Sequence, residues 1–147
     1  MKFKVMTTIA ALTLMTGAAS LLASEGQNRV LHLVKDCTNQ HGNSGDYCVI
    51  TSSNVPQIIP VGSKLFYDQA AQIPAGFLDS NVLLHVGSLD WAVGRCTFDF
   101  SVTSALCTFS DGVGPLAGFS ARTKVTYLGG VNYAVDGSYS LGVQNKQ

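Results

Sequence analysis

The sequence predicts an all-β protein, an eight-stranded antiparallel β-barrel with a β-sandwich as the alternative, on three observations. Apolar residues recur with period two over the C-terminal third. Short runs rich in β-branched and aromatic residues follow one another at spacings near ten residues, and Gly, Asn, Pro and Asp clusters separate them. Some eight such runs in one domain mark a barrel or a sandwich, and closure into a barrel removes the unpaired edges that a sandwich has to protect.

The first 24 residues stand outside this pattern. Lys2 and Lys4 form a basic start, residues 5–22 are apolar or small and uncharged, and Ala23 and Ser24 supply small residues for a signal peptidase. Thr7, Thr8, Thr13, Thr16 and Ser20 keep the fully apolar core shorter than the roughly 20 residues a spanning helix needs. Residues 1–24 are therefore expected to be a cleaved signal peptide. Residues 25–147 are expected to be a single secreted or periplasmic domain without stable membrane insertion. Removing Lys2 and Lys4 leaves seven basic against nine acidic residues, a net charge of −2 that offers no electrostatic footprint for nucleic acid.

Within the domain, Val30–Val34, Cys48–Thr51, Lys64–Tyr67, Val82–Val86, Val93–Phe100 and Ala105–Phe109 are the first six expected strands. In the last two the alternation is plain. Phe119, Ala121, Val125 and Tyr127 share a face that Thr123 interrupts; beyond Gly129-Gly130, Val131, Tyr133, Val135, Tyr139 and Leu141 oppose Asn132, Asp136, Ser138 and Ser140. Leu31–Val34 and Val82–Val86 are apolar on both faces, so their outer sides are expected to be covered, by a second subunit or by the chain's own terminal segments or a short helix.

All four cysteines lie in the exported part, where disulfides are the default. Four cysteines allow three pairings. A hairpin closed by Asp99 and Ser104 around a four-residue loop sets Cys96 opposite Cys107 and Phe98 opposite Ala105, within bridging reach on one face. Cys37 is then left to pair with Cys48 across a polar loop. No two cysteines have metal-ligand spacing and only His41 lies near a pair, so no metal site is expected.

The order of VGSKLFYD (61–68), GRCTFDF (94–100), CTFSDGVGPLAGF (107–119) and YLGGVNYAVDGSY (127–139) resembles the allene oxide cyclase and dirigent superfamily, in particular its exported bacterial branch, over about 80 residues. The resemblance implies an eight-stranded barrel with a hydrophobic cavity, commonly assembled as a homotrimer. Its catalytic members guide cyclisation or stereoselective coupling of a reactive small molecule without a metal or organic cofactor. Plant members usually carry a basic residue before the closing glycine of the last motif, where this chain has Asp136 before Gly137. The first strand, with His32 amid Val30, Leu31, Leu33 and Val34, offers no evident counterpart of the cyclases' carboxylate.

Candidate ligand-binding residues follow from alternation and residue chemistry. Arg95, Thr97 and Asp99 share one face of their strand against Cys96, Phe98 and Phe100. Turned inward, Arg95 and Asp99 would order an oxygenated ligand; turned outward, they form a surface ion pair of little worth. A Cys96–Cys107 bridge pointing into the barrel would send them outward. Asp79 and Asn81 stand at a strand entrance, lining a barrel mouth or closing a turn. His32 and His85 lie inside apolar strands, as proton carriers near neutral pH or as core residues. Tyr67 and Tyr133 combine a ring with a hydroxyl suited to ligand orientation or to core packing.

No Gly-x-Ser-x-Gly surrounds Ser80 or Ser110, and the Gly112–Pro115 run lacks a phosphate-loop lysine. Two functions remain. One is an exported barrel that binds a small hydrophobic or phenolic molecule and steers its cyclisation or isomerisation. The other is a non-catalytic, disulfide-stapled envelope or secreted interaction module.

Overall fold

The computed structural model describes residues 28–71 and 76–142; the expected signal peptide, 1–24, lies outside the described residues. Eight strands follow one another: β1 (Arg29–Asp36), β2 (Tyr47–Ser53), β3 (Lys64–Tyr67), β4 (Phe77–His85), β5 (Trp91–Asp99), β6 (Ser104–Ser110), β7 (Phe119–Gly129) and β8 (Asn132–Leu141). Each pairs antiparallel with its chain neighbours and β8 returns to β1, so the sheet closes into a barrel and the sandwich alternative falls. One 3-10 turn, Gly114–Leu116, is the helical structure among the described residues.

Alternation builds the core. Leu31 and Leu33 of β1, Leu78, Ser80, Val82 and Leu84 of β4, and Phe119, Ala121, Thr123 and Val125 of β7 all point inward and are buried. Thr123, the polar break in its row, stays inside by donating its hydroxyl to the Cys107 carbonyl, 3.4 Å away. Two inward positions lack a side chain because the neighbouring backbone occupies the space. A Cβ on Gly94 would sit 2.4 Å from the Thr108 oxygen, and one on Gly137 would sit 2.1 Å from the Arg122 oxygen.

The expected hairpin register is present. Cys96 faces Cys107, Phe98 faces Ala105 and Asp99 faces Ser104. Cys96–Cys107 and Cys37–Cys48 are both bridged, with Cα separations of 4.1 and 4.2 Å, and no described cysteine is free. Two disulfides in a chain of this size fit an oxidising, extracytoplasmic environment. Among the described residues no helix is long and apolar enough to cross a membrane.

The two ends of the barrel differ. At the end reached by residues 54–63, 86–90 and 111–118, Val55, Ile58, Ile59 and Leu116 are buried as a plug. Each such aliphatic side chain contributes on the order of 1.5–3 kcal/mol by leaving water. The opposite end carries residues 37–46, 68–71, 76, 100–103 and 130–131, and there the described residues leave the interior unfilled.

Candidate functional site

A cavity of about 320 Å³ opens at that unfilled end. Its floor comes from inward positions of the strands, Lys35, Cys48, Tyr67, Leu78, Phe98 and Tyr133, and its rim from Gln40, Ala71, Phe100 and Val131. The volume falls at the low end of small-molecule sites, and the walls have the usual character of such sites, apolar and aromatic with a few polar groups.

Lys35 is the unusual member. It continues the inward row Leu31, Leu33, Lys35 of β1, and an irregularity in the pairing with β2, between Val34 and Lys35, moves its partner to Ile50 while it still faces Tyr133 on β8. The residue is 4 % exposed. Its Nζ donates to Tyr67 Oη at 2.6 Å and lies 5.4 and 5.6 Å from the ring centroids of Tyr67 and Tyr133. A buried ammonium is costly unless compensated. One hydrogen bond and two ring faces offset part of that cost, and no carboxylate among the described residues pairs with it.

The other polar groups of the cavity also donate. Tyr67 Oη accepts from Lys35, which leaves its own hydrogen facing the weakly accepting Cys48 Sγ at 3.8 Å. Gln40 Oε1 accepts from Gly42 N at 2.7 Å, which fixes the amide's orientation and turns Nε2 inward, where it is buried without a partner among the described residues. Burial pushes the Tyr133 hydroxyl above its usual pKa, reinforced by Tyr127 and Tyr67, so this phenol stays a neutral donor. Its ring is edge-on to Phe98 at 6.0 Å, and Phe98 packs on Phe100 at 4.7 Å, giving one wall of the mouth an aromatic lining.

Of the residues singled out from the sequence, Tyr67 and Tyr133 meet in this cavity. The others lie on the outer face. Arg95 donates twice to Asp79, Nε to Oδ1 at 2.8 Å and the second nitrogen to Oδ2 at 2.5 Å; that pairing raises the guanidinium above its ordinary range. Asn81 donates to Asp68 at 3.1 Å, beside them. Arg95, Asn81 and Asp68 border a wider, shallower groove of about 800 Å³, where Arg95 and Asn81 already have carboxylate partners, unlike the donors of the cavity. Asp79 and Asn81 sit within β4, which starts at Phe77, well before the expected Val82.

Asp99 accepts from Ser101 Oγ and then Ser101 N at the hairpin turn, and these bonds hold its carboxyl below the ordinary range. His32 Nδ1 contacts Asp136 Oδ1 on the outside of β1 and β8, and the His85 ring packs edge-on to Phe66, 5.6 Å away. Among the described residues no three His, Cys, Asp or Glu side chains are grouped to hold a metal ion. No protein-family model, curated protein or solved structure matches this chain.

Lys35 and Gln40 were not among the residues read from the sequence as site candidates. For Lys35 a signal exists: extending the alternation of Leu31 and Leu33 by one step reaches it. For Gln40, held by a loop that Cys37–Cys48 closes, no periodic signal exists.

Proposed function

We propose that this protein is an exported binding barrel that takes one small hydrophobic or phenolic molecule into the cavity above Lys35, Tyr67 and Tyr133. The observation that carries this reading is the contrast between the two barrel ends: one is plugged by aliphatic side chains, the other is left open over a polar floor. The eight-stranded closed barrel supports an allene oxide cyclase-like assignment, and with it a steering of cyclisation or isomerisation by confinement, which requires shape and a few fixed donors only. The same resemblance carries a homotrimer. For its contact face we propose the outer row Tyr47, Phe66, Leu83 and Val93, which are adjacent in register across β2 to β5.

The test is titration with N-phenyl-1-naphthylamine, an apolar probe whose fluorescence rises out of water. The expected result is a saturable rise at one probe per barrel that is lost in Val131→Trp, which fills the mouth from its rim. No rise, or a rise indifferent to Val131→Trp, would overturn the cavity reading.

A further inference from the structure

We infer that the natural occupant of this cavity is an anion, a small aryl carboxylate whose charge pairs with Lys35 and whose ring lies against Phe98 and Tyr133. The inference rests on the cavity reading above and specifies its ligand class.

The polar inventory carries it. Lys35 Nζ has three donors, of which Tyr67 Oη takes one. Gln40 Nε2 is a buried donor with no partner among the described residues, and the Tyr67 and Tyr133 hydroxyls both have a hydrogen to give. Donors therefore outnumber acceptors on the floor, and one of them belongs to a residue that carries positive charge. An alcohol or a neutral ether would accept from at most two of these donors and bring no counter-charge to the ammonium. A carboxylate supplies two oxygens with about four acceptor sites and the counter-charge together.

The two described acids nearest in sequence are committed elsewhere. Asp36 points outward and accepts from Thr38 N at 2.8 Å. Asp46 accepts from His41 N at 2.6 Å and Asn43 N at 3.0 Å within the rim loop. Gln72, Ile73, Pro74 and Ala75, outside the described residues, include no acid. Inorganic phosphate would meet the charge but leave Leu78, Phe98 and Val131 facing water, so the anion needs an apolar body. A cavity of about 320 Å³ with an aromatic wall suits one ring on a short chain.

Calorimetric titration of the mature protein with 3-phenylpropanoate and with 3-phenylpropan-1-ol separates charge from shape, since the two differ in the head group alone. The acid is expected to bind about tenfold or more tightly than the alcohol, the scale of a charge-assisted hydrogen bond out of water. Lys35→Met should level the two affinities by weakening the acid and sparing the alcohol. Equal affinities in the wild type, or a preference for the acid that survives Lys35→Met, would overturn the anion inference and leave the cavity reading standing. Binding of neither compound, together with no response to the naphthylamine, would overturn both. The wild-type comparison needs no variant, so it stands even where Lys35→Met changes folding.

Discussion

Lys35 and Tyr67 bind each other in the barrel as a donor and an acceptor of unequal standing. The phenol can do without the amine, whereas the ammonium loses its one hydrogen-bond acceptor if the phenol goes. Tyr67→Phe is therefore expected to lower stability by about 1–3 kcal/mol, the cost of leaving a buried donor unsatisfied. Lys35→Met, which removes the charge and keeps the stem, is expected to leave stability unchanged or raise it, as replacement of a buried charge by an apolar side chain of similar volume often does. Urea denaturation of both variants checks the order; a Lys35→Met protein less stable than Tyr67→Phe would contradict it. Tyr133 supplies a pH test of the same floor. Its folded pKa lies above the ordinary value of 10.0, so the unfolded phenol ionises first. The native state then holds more protons than the unfolded one, and this group's share of stability is intact below pH 10 and declines as pH rises above it. Tyr133→Phe should flatten the alkaline decline seen in thermal melts between neutral and alkaline buffers and leave melts below pH 9, roughly a unit under the ordinary tyrosine value, with no added slope.

The β5–β6 hairpin shows which elements announce themselves. Its turn length, its Asp99 cap and its two cysteines are local features, so they set the register of Cys96 against Cys107 without knowledge of the rest of the molecule. With the staple inward, at 2 % and 1 % exposure for Cys96 and Cys107, Arg95 and Asp99 had to face water. The beginning of β4 was not legible in the same way. Phe77, Asp79 and Asn81 form its outer face, and the polar pair reads as a turn until the neighbouring strand supplies Arg95 as Asp79's partner. Lys35 was obscured for a related reason: a lysine after Leu31 and Leu33 looks like a strand end, and only closure of β8 onto β1 places Tyr133 opposite it. Long-range pairing decided both cases. At this scale the staple itself is testable. Replacing Cys96 and Cys107 together by Ala is expected to cost about 2–5 kcal/mol while the strand pairing persists. Chemical denaturation measures the loss, and an unchanged midpoint would show that the bridge contributes nothing.

At the scale of the molecule, closure of the barrel moves the question from strand edges to outer faces. β6 to β8 present Thr108, Arg122, Lys124 and Asp136 outward, an ordinary solvated surface. β2 to β5 instead align Tyr47, Phe66, Leu83 and Val93, with the Tyr47 and Phe66 rings 5.2 Å apart and Val93 36 % exposed. These residues do nothing for the core, since Leu65, Leu84 and Ala92 already fill the inner side of the same strands. A contiguous apolar row that the fold itself does not need is expected to be covered by another copy. Because β2 to β5 also carry the Arg95–Asp79 pair and Asn81, such a contact would put a satisfied polar cluster beside the apolar row, as interfaces commonly do at their margins. Light scattering of the mature protein is expected to give a mass of several chains, and Leu83→Glu, which places a charge in the middle of the row, should shift it to a single chain while the far-ultraviolet spectrum stays β-rich. A wild-type mass of one chain would remove the subunit contact and leave the row to solvent. The cavity mouth lies at the barrel end and not on this wall, so ligand binding should survive in the Leu83→Glu monomer, which makes assembly and occupancy separately measurable.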